Sequence, residues 1–126
     1  MSIAEQILSA VRGGSEGGTF PLASESLPDT GFYVGGVISS LILVPGDTSA
    51  TEELADTEVF VAELQRLGVG YVGHWTDEDD GRVYIDGVEH HTTEFAAASV
   101  ARERHEISIW DIANNRELRL AYVDGE

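Results

Sequence analysis

Hydrophobic and polar positions alternate most clearly between Gly68 and Ile112. Val69, Tyr71, Gly73 and Trp75 alternate with Gly70, Val72, His74 and Thr76, the period of two that a strand requires. Asp77-Glu78-Asp79-Asp80-Gly81 then predicts a turn, and Arg82 to Asp86 a returning strand, giving a β-hairpin. A helix is expected from about Thr93 to Arg104: Thr92 or Thr93 is a good N-cap, four alanines favour helix, and Arg102 and Arg104 suit the negative end of its dipole. Ile107 to Ile112 reads as a strand with apolar residues on both faces, hence central in a sheet. Asn114-Asn115 turns the chain, and Glu117 to Val123 alternates as a pairing strand.

Upstream the period changes. Ser2 and Glu5 form a capping-box pattern ahead of a stripe of Ile3, Ile7, Leu8 and Val11, which predicts a short helix stopped by Gly13-Gly14. Residues 13–31 are rich in Gly, Ser, Pro and Thr and read as a flexible linker or loop. The glycines at 13, 14, 17 and 18 lack the Lys-Ser/Thr and the preceding strand of a phosphate-binding loop, and Glu16 would repel phosphate. Phe32 to Val44 is β-rich, with Gly35-Gly36 marking a bulge or a tight turn between two short strands. A second helix is expected from Asp56 or Thr57 to Leu67, with Phe60, Leu64 and Leu67 on one side and Gly68 as its stop. The expectation is an α+β fold: a mostly antiparallel sheet of about five strands with two or three helices packed on one face. It divides into an N-terminal helix (1–12), the linker (13–31) and a single α+β domain (32–126).

Composition narrows what such a domain does. With 126 residues and 42% hydrophobic content the chain suits one globular domain without stapling. Absence of cysteine excludes disulfides, thiol nucleophiles and thiolate metal sites. The N-terminus lacks the basic-then-apolar pattern of a signal peptide, and the apolar run Ile38 to Val44 is too short for a bilayer, so a cytoplasmic protein is expected. Formal net charge is −16, from 23 acidic and 7 basic residues, and every basic residue is arginine. Such a field repels nucleic-acid phosphates and anionic membranes, so neither is expected as a direct partner. Three origins of the acidity stay open: solubility in a product of a GC-rich genome, a halophile's surface, or an acidic face that docks on a basic protein and imitates DNA.

One pattern resembles small acidic proteins of actinobacteriophages and their actinobacterial hosts. It is carried by Gly73-x-Trp75-Thr76-Asp77, by Gly81 to Asp86, by the alanine-rich helix, and by Ile109 to Asn114 with Glu117-Leu118. Gly31 to Gly36 extends it. The resemblance implies a phage or mobile-element accessory protein, brings no catalytic residues with it, and favours the GC-rich explanation of the arginines.

Candidate chemistry is sparse. His74, His90 and His91 with Glu94 are the available zinc donors, but no His-x-x-x-His or His-Glu-x-x-His spacing accompanies them. Asp111, between Trp110 and Ile112, is the best candidate for a partly buried carboxylate, with Arg82 or Arg116 as partner. The Asp77-x-Asp79 start of the turn is out of register for a calcium loop, since Gly81 falls at position five. No cofactor or metal is expected. Tyr71, Trp75, Tyr84 and Trp110 lie on strands, as core or, if exposed, as an aromatic binding patch beside the acids Asp77, Asp79 and Asp80. The chain therefore reads as a non-enzymatic interaction module that binds a protein, a basic one if the acidity is functional, or forms a homo-oligomer. The alternatives are a small metal-dependent or small-molecule enzyme using His74, His90 or His91 and Asp111, and a structural virion component.

Overall fold

The computed structural model describes residues 1–23 and 26–121. The chain runs α1 (Ile3–Arg12), β1 (Gly17–Pro21), β2 (Phe32–Val34), β3 (Leu41–Leu43), α2 (Ala50–Arg66), β4 (Tyr71–Thr76), β5 (Val83–His91), α3 (Glu94–Glu103), β6 (Ser108–Asp111) and β7 (Arg116–Arg119). This is an α+β fold that has, among the described residues, three helices and a seven-stranded antiparallel sheet, more strands than the five expected.

The sheet order is β1-β4-β5-β2-β6-β7, with β3 also pairing β5. The hairpin β4–β5 is its centre, in the register Trp75 opposite Tyr84 and Tyr71 opposite Val88. β5 is longer than expected because two strands pair along it in turn. Leu41–Leu43 lies against Val83–Ile85, and Phe32–Val34 against Glu89–His91. Between them residues 35–40 leave the ladder, Gly36 taking φ +72. The glycine pair therefore ends β2, but no tight turn follows: β2 and β3 run in the same direction along β5, separated by six residues.

Alternation decides which side is covered. Val83, Ile85 and Gly87 share one face of β5 with Glu89 and His91. Val83 and Ile85 join a core with Ile7 and Leu8 of α1 and with Val61 and Leu64 of α2. Further along on the same face, Val34 and Ile109 pack on Ala97 and Ala101 of α3. All three helices thus cover one face, and the alanines let α3 approach its strands closely. Gly87 is required here: a Cβ would lie 2.7 Å from Leu64 Cδ2.

Three expectations change. Residues 13–31 include β1, an antiparallel edge strand on β4, and α1 belongs to the main core through Ile7 and Leu8. An edge strand tolerates the glycines and Pro21 that resemble a linker. α2 begins at Ala50 under a Ser49 cap that accepts from the Glu52 amide, a full two turns earlier than the apolar pattern indicates. β6 is not apolar-buried on both faces: Ile109 is buried but Trp110 is 40% exposed. Tyr122 and Val123 of the expected last strand, and the final residues 124–126, lie outside the described residues. The Ser2–Glu5 capping box and the Thr93 cap of α3 stand as the sequence indicates.

Candidate functional site

Among the described residues no helix lies on the opposite face of the sheet. Its side chains follow from the registers. Across one end run Ile42, Tyr84, Trp75 and Gly17; across the middle, Asp86, Gly73 and Thr19; then Val88, Tyr71 and Pro21; and at the far end His90, Tyr33 and Trp110. All four aromatics singled out from the sequence, Tyr71, Trp75, Tyr84 and Trp110, therefore share this one face.

They differ in exposure. Trp75 and Tyr84 stack with centroids 4.5 Å apart and planes 10° apart, and Trp75 is 46% exposed. Their facing position in the hairpin register forces that stack. Gly17 opposite Trp75 has no side chain, and Ile42 beyond Tyr84 is itself 45% exposed. At the other end Tyr33 is buried, with its ring 5.5 Å from that of Tyr71 and 6.3 Å from that of His90. Burial and the nearby Tyr71 raise the Tyr33 phenol's pKa, and among the described residues its oxygen meets no hydrogen-bond partner. Trp110 stands outside that group, opposite Glu117 of the edge strand.

The stack sits beside the acidic turn. The Asp77 carboxylate accepts from the Asp79 amide at 2.8 Å, and its carbonyl accepts from the Gly81 amide at 2.8 Å. Asp80 accepts from the Arg82 amide at 2.9 Å. Asp77 and Asp80 each spend an oxygen on turn geometry, while Glu78, Asp79 and Asp80 remain exposed. Among the described residues six of the seven arginines pair with acids of the same chain: Arg12 with Glu53, Arg66 with Glu63, Arg82 with Asp80, Arg104 with Glu89, Arg116 with Asp111 and Arg119 with Glu117. The cations are thus largely neutralised internally, and the excess carboxylates set the outward field.

A polar notch opens where the strands part, and the sequence did not announce it. Asp86 is half-buried on β5 beside the loop 35–40, and the Ser40 hydroxyl donates to it. Burial raises the Asp86 carboxyl's pKa, against the lowering effect of the Ser40 bond. Glu106, in the turn between α3 and β6, is raised by burial and then by the charge of Asp86, with Arg104 opposing. Both carboxyls converge on the glycine pair: a Cβ on Gly35 would lie 3.3 Å from Asp86 Oδ2 and 3.6 Å from Glu106 Oε1. Arg104 donates to the Gly35 carbonyl at 3.2 Å and pairs with Glu89 at 2.8 Å. Glu89 also holds His91 at 3.0 Å. Acid in the middle of a strand, at Asp86-Gly87, was the available signal, since aspartate and glycine are both unfavourable there.

The remaining candidates separate. His74 points into the helix-covered face, 4% exposed and stacked on Phe20 at 6.0 Å; burial lowers its pKa. His90 lies on the other face, its Nε2 2.8 Å from the Thr30 carbonyl. His91 belongs to the Glu89 pair, and Glu94 opens α3. Among the described residues no group of three His, Asp or Glu side chains is placed to hold a metal ion. Asp111 is 5% exposed, as expected of a covered carboxylate, but its role is local. It accepts from the Asn114 side chain at 2.8 Å and lies 3.5 Å from Arg116, and these contacts, Asn114 foremost, lower its pKa. It fastens the β6–β7 turn, and of its two foreseen partners Arg116 is the one in contact. Among the described residues no helix is long and apolar enough to cross a membrane.

No protein-family model matches the chain, and no curated protein or solved structure shows significant similarity to it.

Proposed function

We propose that this chain is a small acidic protein-interaction module whose helix-free sheet face docks on a basic protein partner. The observation that carries the reading is the Trp75–Tyr84 stack, with Trp75 exposed, at the hairpin end of a sheet face that the helices leave open, next to a turn of consecutive acids. A solvated sheet face ordinarily displays polar side chains, and large aromatics there are a cost unless something covers them. Tryptophan and tyrosine are the residues that most often anchor interfaces. The acids supply steering and a preference for positive partners, while the face itself supplies contact area. Taken with the pattern of residues that resembles actinobacteriophage proteins, the reading extends to an accessory factor that engages a protein of the bacterial host.

The test is capture of partner proteins by the native chain and by Trp75→Ala/Tyr84→Ala, at low and at high salt. A partner identified in this way binds the double variant at least roughly tenfold more weakly and is released by salt. Equal binding by both chains refutes the proposal.

A further inference from the structure

At the acidic end of the sheet, on the helix-covered side, lies a shallow groove of about 370 Å³. Val11, Leu43 and Val83 give it an apolar lining, with the buried Leu43 and Val83 as its floor, and the exposed Glu16 and Glu78 and the half-buried Glu53 line it as well. The groove and the Trp75–Tyr84 stack are the two sides of one hairpin end, because Thr76 and Val83 face the helices while Trp75 and Tyr84 face away.

Its lining selects among occupants. An apolar side chain would make no use of the glutamates, and a small hydrated cation would gain nothing from the floor. A long cationic side chain satisfies both parts, laying its methylenes on Val11, Leu43 and Val83 and its head among the acids. The chain itself provides one example there: Arg12 reaches Glu53 at 3.9 Å while remaining half-exposed. One loosely held guanidinium against three glutamates leaves negative charge uncompensated. A guanidinium is more weakly hydrated than an ammonium and can bridge two carboxylates with its fork of donors.

We infer that this groove takes an arginine side chain of the basic partner, with the stem on the apolar floor and the guanidinium among Glu16, Glu53 and Glu78. The inference rests on the interaction reading above and gives that partner a second anchor, on the reverse side from the aromatic stack. A partner segment would then clasp the hairpin end from both sides.

The test is an NMR titration of the full chain with acetyl-Gly-Arg-Gly-amide, its lysine counterpart and its citrulline counterpart. Saturable shifts at the methyls of Val11, Leu43 and Val83 are expected with arginine, weaker ones with lysine and none with citrulline. Glu16→Gln/Glu78→Gln, which leaves the Arg12–Glu53 pair in place, weakens the arginine titration roughly tenfold. If that variant disturbs the spectrum as a whole, added salt on the native chain reads the same charge dependence. Shifts spread over the acidic surface without these methyls, citrulline binding as well as arginine, lysine binding equally well, or indifference to both Gln substitution and salt each overturns it. Should the titration fail while partner capture still depends on Trp75 and Tyr84, only the groove assignment falls.

Discussion

Asp86 is the residue whose environment is least comfortable. It is an acid on a strand, partly withdrawn from water, held by one hydroxyl and facing a second raised carboxyl at Glu106. Because its folded pKa is raised, the folded chain binds that proton more tightly than the unfolded chain does. Stability therefore falls as pH rises from the ordinary value of 3.8 through the raised one, and the penalty persists above it. Asp111 works in the opposite sense: its lowered pKa adds stability above 3.8 that is lost as pH falls through the folded value. Asp86→Asn, which keeps an acceptor for Ser40, is expected to raise the thermal midpoint at pH 7. That gain should shrink as the pH approaches 3.8. A loss of stability at pH 7, measured by calorimetry, would mean that the Ser40 bond outweighs burial. Gly87 gives a steric counterpart: Gly87→Ala puts a methyl against Leu64 and Val37 and is expected to cost about 1–3 kcal/mol in urea denaturation.

At the scale of elements, the sequence is legible wherever a local rule coincides with the tertiary demand. The hairpin β4–β5 shows period two, and the caps of α1 and α3 are plain in Ser2, Glu5 and Thr93. Legibility fails where the demand is not local. The first turn of α2, Ala50 to Glu53, carries no large apolar side chain, so only Ser49 and Glu52 mark the start. Ser49→Ala is accordingly expected to cost about 1 kcal/mol, with fraying confined to the first turn of α2 by amide exchange. β1 hides in a glycine-rich segment because an edge strand needs backbone pairing and few side chains. The stacked aromatics were recoverable, since the register of one hairpin puts Trp75 opposite Tyr84. The notch was not: Asp86 and Glu106 meet only because residues 35–40 bulge between two strands on the same partner.

For the whole molecule the decisive asymmetry lies between the two faces of the sheet. One face is filled by three helices, and the other presents Tyr71, Trp75, Tyr84 and Trp110. If the exposed stack serves binding rather than folding, Trp75→Ala/Tyr84→Ala should stay folded and lose about 0.5–1.5 kcal/mol of pair energy beyond the modest area involved. Circular dichroism and urea titration check that. The most direct measurement of the proposed interaction is site-specific photo-cross-linking in bacterial lysate. A photoreactive phenylalanine analogue replaces Trp75 on the uncovered face or Val59, which is 71% exposed on the helix side. A discrete cross-linked protein from position 75, diminished by salt and absent from position 59, is the predicted result. Cross-links from 59 but none from 75 would contradict it.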